Sequence, residues 1–301
     1  MTDVEIPAKL RALMAEIGPR WAYNHSANVR LMAEEFSHVH RLVPKTGIVV
    51  RRDVHFGPHE RQALDIYSPA RPPGKMPALL FIHGGGFVDG SRNRTDEVFA
   101  NVGYYFARHG ILGVNVGYRL APEARYPEGS MDVRAGLEWV RAHAAELSVD
   151  PARLFLMGHS TGAAHAASYA YDRRLQPKTG PGIAGLIIVG GRVRVDNLAE
   201  NPNARRVEAY YGSDTSRYDD YSPVNHVGPD SVPTMVAWSE FENPLLDVYC
   251  AELVHRLAMA KRRAPPACVL REHNHTSMVA HLNTAEDVFG SALRNFISHP
   301  R

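Results

Sequence analysis

The sequence predicts an α/β protein with a mostly parallel central sheet and helices on both of its faces. Short apolar segments alternate with segments of helical periodicity along most of the 301 residues, and this alternation is typical of strands joined by crossover helices. Residues 78–82 (ALLFI) form a continuous apolar run, as expected of a strand that is buried on both faces. A chain of this length can bury one large core, so we expect one main domain with appendages.

Residues 1–45 are predicted to form an N-terminal helical cap segment, and residues 46–301 the main α/β domain. Pro7 suits a first helical turn, and apolar residues follow at spacings of three and four until Gly18-Pro19 ends the helix. A second helix is expected over residues 26–41. These helices have too little apolar surface to fold alone, so they should lie across the rest of the protein. A position at the mouth of the functional site and a purely structural position both remain open.

The remaining elements follow in a regular order. Residues 48–56 and 63–67 read as two strands joined through Gly57-Pro58, a hairpin-like pair at the edge of the sheet. Beyond them, strands and helices alternate: strands are expected over 78–82, 111–116, 154–157, 183–189, 234–238 and 267–270, and helices over 95–108, 127–145, 161 onward, 245–260 and 284–297.

Residues 190–231 interrupt this order with a segment rich in Asn, Asp, Arg, Gly and Tyr. An insertion of this length inside a compact domain is usually functional. We therefore expect it to border the functional cleft, with a solvated surface loop as the alternative.

Composition disfavours several classes of protein. A formal net charge of +2 gives no electrostatic reason to expect nucleic acid or a membrane surface as a partner. The two cysteines, Cys250 and Cys268, are too few for a disulfide framework and have no metal-ligand spacing. No apolar run approaches the length of a membrane span, and the acidic start lacks the apolar core of a signal peptide. We therefore expect a cytoplasmic protein, for which a homodimer is the default assembly.

A candidate nucleophile follows the apolar segment 154–157. Gly158-His159-Ser160-Thr161-Gly162 comes directly after it and precedes an alanine-rich helix start. In this strand–turn–helix context, Gly-X-Ser-X-Gly forms a nucleophile elbow that exposes the serine oxygen at the carboxyl edge of the sheet. Side chains at Gly158 or Gly162 would collide with the neighbouring strand or helix. An ordinary turn with a capping serine is the alternative, and the motifs that follow argue against it.

A glycine-rich segment, His83-Gly84-Gly85-Gly86, follows the buried strand 78–82. Attack on an acyl carbon creates a negative oxygen that needs preplaced donors, and backbone amides can approach it only where no side chain intervenes. We therefore predict that the amides of Gly85, Gly86 and Thr161 form an oxyanion hole. A phosphate-binding loop is disfavoured because no Gly-Lys-Ser/Thr follows and no Gly-X-Gly-X-X-Gly opens a helix.

Four motifs in this order resemble the hormone-sensitive-lipase-like esterases of the α/β-hydrolase fold, and the likeness extends from about residue 47 to the end. They are residues 83–87 (HGGGF), 118–123 (YRLAPE), 126–127 (YP) and 158–162 (GHSTG). That family usually has Gly-Asp-Ser-Ala-Gly around its nucleophile, and the local pattern is shared with other carboxylesterases and with arylformamidase-like hydrolases. The resemblance implies a serine hydrolase that uses no metal and no organic cofactor.

A serine nucleophile needs a base, and the base needs an acid that orients it. In this fold the acid follows the serine in the chain, and the region beyond the next-to-last strand offers Glu240, Glu242 and Asp247. The resemblance puts Glu242 where the family has its aspartate, so we choose it, with the other two as alternatives. Aligning on Pro244-Leu245 instead would put Asn243 there, and an asparagine could orient an imidazole without stabilising its charge.

The base is expected in the loop after the last strand, which contains His273 and His275. In similar hydrolases the histidine stands just before a small polar residue and the final helix, which favours His275 over His273. A metal site at this pair is disfavoured because no third ligand cluster lies nearby. Asn274-His275-Thr276 is a glycosylation sequon. Because a glycan there would obstruct the site, a secretory route with glycosylation is disfavoured. The other histidines, His25 among them, are interpreted as surface or packing residues.

These residues predict a serine hydrolase of small carboxylic esters, short-chain or aryl, in which Ser160 attacks, His275 is the base and Glu242 orients it. An amide or formamide hydrolase similar to the arylformamidases would use the same residues, although the intact triple glycine favours esters. A binding protein that resembles this family, as the plant gibberellin receptors do, would have lost one of the three. Phe87 and Trp238 adjoin the oxyanion segment and the acid loop, so we expect them to line the substrate pocket.

Overall fold

Eight strands form a single sheet in the computed structural model, which describes residues 4–301. In chain order they are β1 (Ile48–His55), β2 (Ala63–Pro69), β3 (Met76–Ile82), β4 (Leu112–Val116), β5 (Val149–His159), β6 (Gly185–Val189), β7 (Thr234–Phe241) and β8 (Ala267–Asn274). The strand order across the sheet is β1-β2-β4-β3-β5-β6-β7-β8. The strand β2 is antiparallel to both of its neighbours, and the other pairs are parallel. The predicted α/β class and the edge hairpin are confirmed.

Ten α-helices accompany this sheet in the described part of the chain. They are α1 (Ala8–Ile17), α2 (His25–Arg41), α3 (Ala100–Arg108), α4 (Glu128–Ala142), α5 (Thr161–Tyr171), α6 (Ala204–Tyr211), α7 (Tyr218–Tyr221), α8 (Leu246–Lys261), α9 (Ser277–Ala280) and α10 (Val288–Ser298). Within residues 4–301, none has both the length and the apolar character that crossing a bilayer demands.

Alternation along the buried strands supplies a core on each face of the sheet. In β3, Leu80 and Ile82 pack with residues of α4, α5 and α8, whereas Leu79 and Phe81 pack with residues of α1, α2, α3 and α10. A strand that is apolar at every position can bury both of its faces in this way. The segment before residue 46 therefore contributes to the same hydrophobic cluster as the sheet, through residues such as Phe36, which is fully buried.

One helix begins later than its periodicity predicts. A helix was expected from residue 95, but α3 begins at Ala100. The hydroxyl of Thr95 accepts hydrogen bonds from the amides of Glu97 and Val98, a local arrangement that competes with helix formation. Phe99 then has a φ of 78°, which lies outside the right-handed helical region.

The central strands bring the candidate motifs to one edge of the sheet. Ile82 of β3 lies beside Gly158 of β5, and His159 lies beside Val189 of β6. Because these parallel strands end in register, the glycine-rich segment after β3 and the turn after β5 leave the sheet side by side. This edge is where doubly wound sheets place their ligands.

Candidate active site

Ser160 occupies a sharp turn between β5 and α5. Its φ is 57° and its ψ is −122°, a combination that costs about 1–3 kcal/mol for a residue other than glycine. Its amide donates to the carbonyl of Val189 at 3.0 Å, and its own carbonyl accepts from the amide of Arg192 at 3.1 Å. The neighbouring strand β6 and its exit loop therefore hold the strained serine in place.

The two glycines of the turn are required by close approach. A Cβ at Gly162 would lie 2.2 Å from the carbonyl oxygen of Ile82, and one at Gly158 would lie 2.4 Å from the Cα of Ala163. Both distances are well inside van der Waals contact, and the atoms met are backbone atoms that cannot rotate away. The collisions expected from the sequence are thus present, with the end of β3 and with α5.

Glu242 and His275 form a buried hydrogen-bonded pair. The Nδ1 of His275 contacts Oε1 of Glu242, and the two side chains are 5% and 3% exposed. A carboxylate can only accept, so Nδ1 carries a proton and donates it to Glu242. In the neutral ring this leaves Nε2 as the proton acceptor, which is the tautomer a general base needs.

The carboxylate of Glu242 is held by three further donors. The hydroxyl and the amide of Ser239 donate to Oε2 at 3.0 and 3.2 Å, and the amide of Asn243 donates to Oε1 at 2.9 Å. Burial raises the pKa of Glu242, but the positive charge of His275 and these hydrogen bonds outweigh it and hold the pKa below the ordinary value of 4.5. The acid is therefore ionised at neutral pH.

The alternative acids lie outside this pair. Glu240 accepts from the amide of Glu272 at 2.9 Å and faces Arg271 at 3.7 Å, while Asp247 is exposed in the first turn of α8. Asn243 has a different task, since its Oδ1 accepts from the indole nitrogen of Trp21 at 2.7 Å. That bond ties the N-terminal segment to the acid loop.

The alternative base, His273, belongs to a separate cluster. Its Nε2 contacts Glu286 at 2.8 Å and its Nδ1 contacts the Ser277 hydroxyl at 3.0 Å. His273, His281 and Glu286 offer three ligand atoms within 4.8 Å of one another, a grouping that the sequence did not indicate. Arg11 forms an ion pair with Glu286 at 3.0 Å, so this carboxylate is already matched by a cation, and His273 does not line the cavity described below.

The glycine loop, defined as residues 83–90, lies directly against the nucleophile. A Cβ at Gly84 would be 2.8 Å from the Cβ of Ser160 and 3.4 Å from its Oγ. One at Gly85 would be 1.8 Å from the carbonyl oxygen of Asp89. Only glycine fits at these two positions, as expected of a loop that brings backbone amides to a reacting oxygen.

The three predicted oxyanion donors differ in their present partners. The amide of Gly86 donates to the hydroxyl of Thr161 at 3.1 Å, so a substrate oxygen must displace this hydroxyl to use it. The amide of Thr161 is at the first turn of α5, where helix amides have no intrahelical acceptor. Gly85 and Gly86, like Thr161, line the cavity over Ser160.

The segment 118–123 packs against the glycine loop on the side that does not line the cavity. Tyr118 donates its hydroxyl to the carbonyl of His83 at 2.7 Å and stacks on the His83 ring with centroids 4.4 Å apart. Arg119 forms a multidentate ion pair with the buried carboxylate of Asp132. Burial lowers the pKa of His83 to about 3, so its ring is neutral. These contacts fix the loop and do not face the cavity.

His159 holds the base from the other side. Its Nε2 is 2.9 Å from the carbonyl oxygen of His275, and the two rings stack with centroids 4.5 Å apart. A carbonyl can only accept, so Nε2 is protonated. Burial, followed by the charge of His275, lowers the pKa of His159 well below the usual value. A neutral ring thus stands where the family resemblance has aspartate, and it positions the backbone of the candidate base.

A cavity of about 1110 Å³ opens over these groups. Ser160 and His275 both line it, and no hydrogen bond joins their side chains in the described residues. In unliganded sites such catalytic hydrogen bonds are often long and tighten only around substrate. Residues of the N-terminal segment and of the 190–231 insertion complete the wall. Both segments therefore border the site, as expected for the insertion and as one of the two alternatives for the N-terminal segment.

Phe87 and Trp238 do not line this cavity, which corrects the expectation made for them. Phe87 is 1% exposed and stacks on Tyr210 with centroids 4.8 Å apart, so it anchors α6 to the glycine loop. Trp238 is half-buried on β7 and packs against the core on the α4, α5 and α8 face. Adjacency in sequence did not predict side-chain direction at either position.

Several charged or titratable residues that the sequence did not indicate also line the cavity, among them His25, Arg94 and Arg206. His25 was interpreted as a surface or packing residue, yet it lines the cavity, and burial followed by the charge of His275 lowers its pKa to about 4. Arg94 follows the glycine loop, a proximity that could have marked it. Arg206 lies within the insertion, and no local signal in the sequence marks it.

Comparisons with known proteins find esterases among the sequences similar to this chain. The family model BD-FAE matches residues 64–179, a range that contains the glycine loop and Ser160. Carboxylesterase NlhH of Mycobacterium tuberculosis is 38% identical over 102 residues, which are 32% of this chain and 30% of the relative. Ethyl acetate hydrolase of Pseudomonas putida is 37% identical over 105 residues, which are 33% and 32%. Each match covers less than a third of the relative's length.

The structural likeness is more extensive. A bacterial heroin esterase superposes with a TM-score of 0.68 at 24% identity, covering 94% of this chain and 92% of that chain. The common fold thus extends over nearly the whole of both proteins.

Proposed function

Because this chain is an α/β-hydrolase related to carboxylesterases, we propose that it hydrolyses small carboxylic esters through an acyl-enzyme on Ser160. The buried Glu242–His275 pair carries this proposal, since it fixes the tautomer of an imidazole beside a strained serine. An ester-cleaving activity also fits the relatives named as carboxylesterase and ethyl acetate hydrolase.

The proposed reaction has two halves. Ser160 Oγ attacks the acyl carbon while Nε2 of His275 takes its proton, and Glu242 stabilises the resulting imidazolium. His275 then returns the proton to the departing alkoxide, which leaves as the alcohol. Water attacks the acyl-enzyme with the same base, the carbon–Oγ bond breaks, and Ser160 regains its proton as the acid is released.

Stabilisation of the negative oxygen is proposed to come from the backbone amides of Gly85, Gly86 and Thr161. Each such donor is typically worth about 3–4 kcal/mol in the transition state. The close approach of Gly84 to Ser160 supports this assignment, because it sets the loop within reach of the tetrahedral carbon.

The direct test combines labelling with matched substrates. A fluorophosphonate probe should label Ser160 in the wild-type protein, as seen by mass spectrometry of the modified peptide, and p-nitrophenyl acetate should be turned over. An aryl ester should be cleaved with a higher kcat/KM than the matched anilide. An unlabelled serine would refute the proposal, and a preference for the anilide or formanilide would favour the formamide hydrolase that shares these residues.

Thr161→Ala is expected to raise kcat for p-nitrophenyl acetate by about two- to tenfold. The hydroxyl of Thr161 occupies the Gly86 amide, and a hydrogen bond of this kind has a net worth of about 0.5–1.5 kcal/mol. Its removal lets Gly86 donate to the oxyanion without first breaking that bond. Thr161→Ser, which keeps the acceptor, is the control and should retain the wild-type kcat. A fall in kcat in Thr161→Ala alone would contradict this role and indicate that the hydroxyl positions the loop.

We extend the proposal to a cytoplasmic protein that works on a small-molecule substrate and assembles, if at all, as a homodimer. The two cysteines support the location, since neither forms a disulfide in the described residues and Cys250 is buried. Burial raises the pKa of the Cys268 thiol to about 11, so that thiol is poorly reactive.

A further inference from the structure

The charges lining the cavity are unbalanced. Arg192 is matched, because its guanidinium pairs with Asp196 at 3.2 Å and donates to Asn201 at 3.1 Å. By contrast, Arg30, Arg94 and Arg206 line the same cavity and form no ion pair with any described residue. The acidic residues of the wall, Glu34 and Asp89, are exposed and likewise form no ion pair with a described residue.

Arg206 lies against the glycine loop. Its Nη1 is 3.4 Å from the carbonyl oxygen of Gly85, and its Cδ and Nη1 are both 2.8 Å from the position a Cβ would take on Gly86. The absence of a side chain at Gly86 therefore admits the arginine to the loop that carries the oxyanion donors. The carbonyl of Gly85 accepts from only one nitrogen of Arg206. Most of the five N–H donors of this guanidinium therefore have no acceptor among the described residues.

Arg94 lines the same cavity as Arg206, and the charges of the two side chains interact. The pKa of Arg94 is lowered, first by burial, with the charge of Arg206 acting in the same direction and Asp89 opposing. The charges of both arginines also act to lower the pKa of His25. Two guanidinium groups thus lie in one partly buried region of the cavity, where the exposed carboxylate of Asp89 offsets part of the charge of Arg94 but forms no ion pair with it.

We propose that Arg94 and Arg206 together bind a carboxylate group of the substrate, which makes anionic esters the preferred substrate class. This inference rests on the proposed ester hydrolysis. Guanidinium groups match a carboxylate in geometry and form charge-assisted hydrogen bonds to it. A carboxylate bound by both would accept hydrogen bonds from the free N–H groups of the two guanidiniums and would offset the repulsion between the two cations. The exposed Arg30 adds to the positive potential at the rim.

The test uses ester pairs that differ only in charge. Monomethyl glutarate is compared with the methyl ester of glutaramic acid, its neutral amide, and acetoxyacetate with acetoxyacetamide. The first pair carries the charge on the acyl side and the second on the alcohol side. In one of the two pairs the wild-type protein should prefer the anion by about tenfold or more in kcat/KM, and the preference should fall as ionic strength rises.

Variants connect this preference to the two arginines. Arg94→Gln and Arg206→Gln should each lower the anion-to-amide ratio of kcat/KM towards one. Arg205→Gln is the matched control, because Arg205 is exposed on the same helix α6 and is not part of the cavity wall. It should keep the wild-type ratio. No preference in either pair, or an equal loss of ratio in Arg205→Gln and Arg206→Gln, would overturn the inference.

A binding measurement separates this inference from the proposed chemistry. Calorimetry should show that the Ser160→Ala variant binds glutarate saturably. The double variant Ser160→Ala/Arg206→Gln should bind glutarate about tenfold more weakly. If p-nitrophenyl acetate is hydrolysed but the anionic esters are not preferred and glutarate does not bind, the proposed carboxylate site is wrong and the proposed esterase activity stands. If glutarate binds but no ester is cleaved, the proposed activity fails instead.

Discussion

Ser160→Ala is expected to lower kcat for p-nitrophenyl acetate by about 10⁴-fold or more while the protein remains folded. The substitution removes the atom that would carry the acyl group, and the loss of a nucleophile in a serine hydrolase leaves only the contribution of the oxyanion donors and substrate binding. Steady-state kinetics on a preparation with no contaminating esterase, together with thermal unfolding, measure both halves of the expectation. Activity within tenfold of wild type would exclude Ser160 as the nucleophile.

Ser160→Gly provides the control for folding, because it removes the same oxygen and also relieves the backbone. A φ of 57° with a ψ of −122° is unfavourable for serine or alanine and accessible to glycine. The glycine variant should therefore be inactive yet more stable than the alanine variant, by about 1 kcal/mol or more in the free energy of unfolding. Equal stability of the two variants would show that the turn stores no strain.

The sequence predicted those features of the site that local rules control. Gly158 and Gly162 are needed because backbone atoms pass within 2.4 Å of their missing side chains, and this requirement leaves a recognisable motif. The alternation of apolar strands and helices likewise follows from burial on two faces of one sheet. The order of strands, with β5 between β3 and β6, then brings the motifs to one edge.

Features that depend on tertiary contact were beyond the sequence. Arg206 reaches Gly85 across 121 residues of chain, and nothing near it in sequence reports that approach. The expectation for Phe87 failed for the same reason: its ring turns onto Tyr210 of the insertion and away from the cavity. The choice of Glu242 over Glu240 came from the family resemblance, since both are single carboxylates at the end of the same strand.

Glu242→Gln tests that choice and is expected to lower kcat by about 10³- to 10⁴-fold. The glutamine amide can donate to Nδ1 of His275, which favours the tautomer that has its proton on Nε2 and cannot accept one from Ser160. It also cannot stabilise the imidazolium by charge. Asp247→Asn and Glu240→Gln are the matched controls, because each removes one carboxylate from the same region. Both controls should retain kcat within about threefold, since neither carboxylate contacts the His275 ring. If one control loses most of its kcat while Glu242→Gln stays active, the residue changed in that control is the acid.

The same variant should change the dependence of stability on pH. The folded-state pKa of Glu242 is held below 4.5, although burial alone would raise it, because His275 and the Ser239 and Asn243 donors favour the ionised form. A carboxyl group with a lowered folded pKa contributes stability that is present above its unfolded pKa and lost as the pH falls through its folded pKa. The difference in unfolding free energy between wild type and Glu242→Gln should therefore be largest near pH 7 and shrink as the pH is lowered below about 4.5. Chemical unfolding of both proteins at several pH values measures this difference in free energy. If the difference grew as the pH fell, Glu242 would be protonated in the folded protein and could not stabilise the charge of an imidazolium.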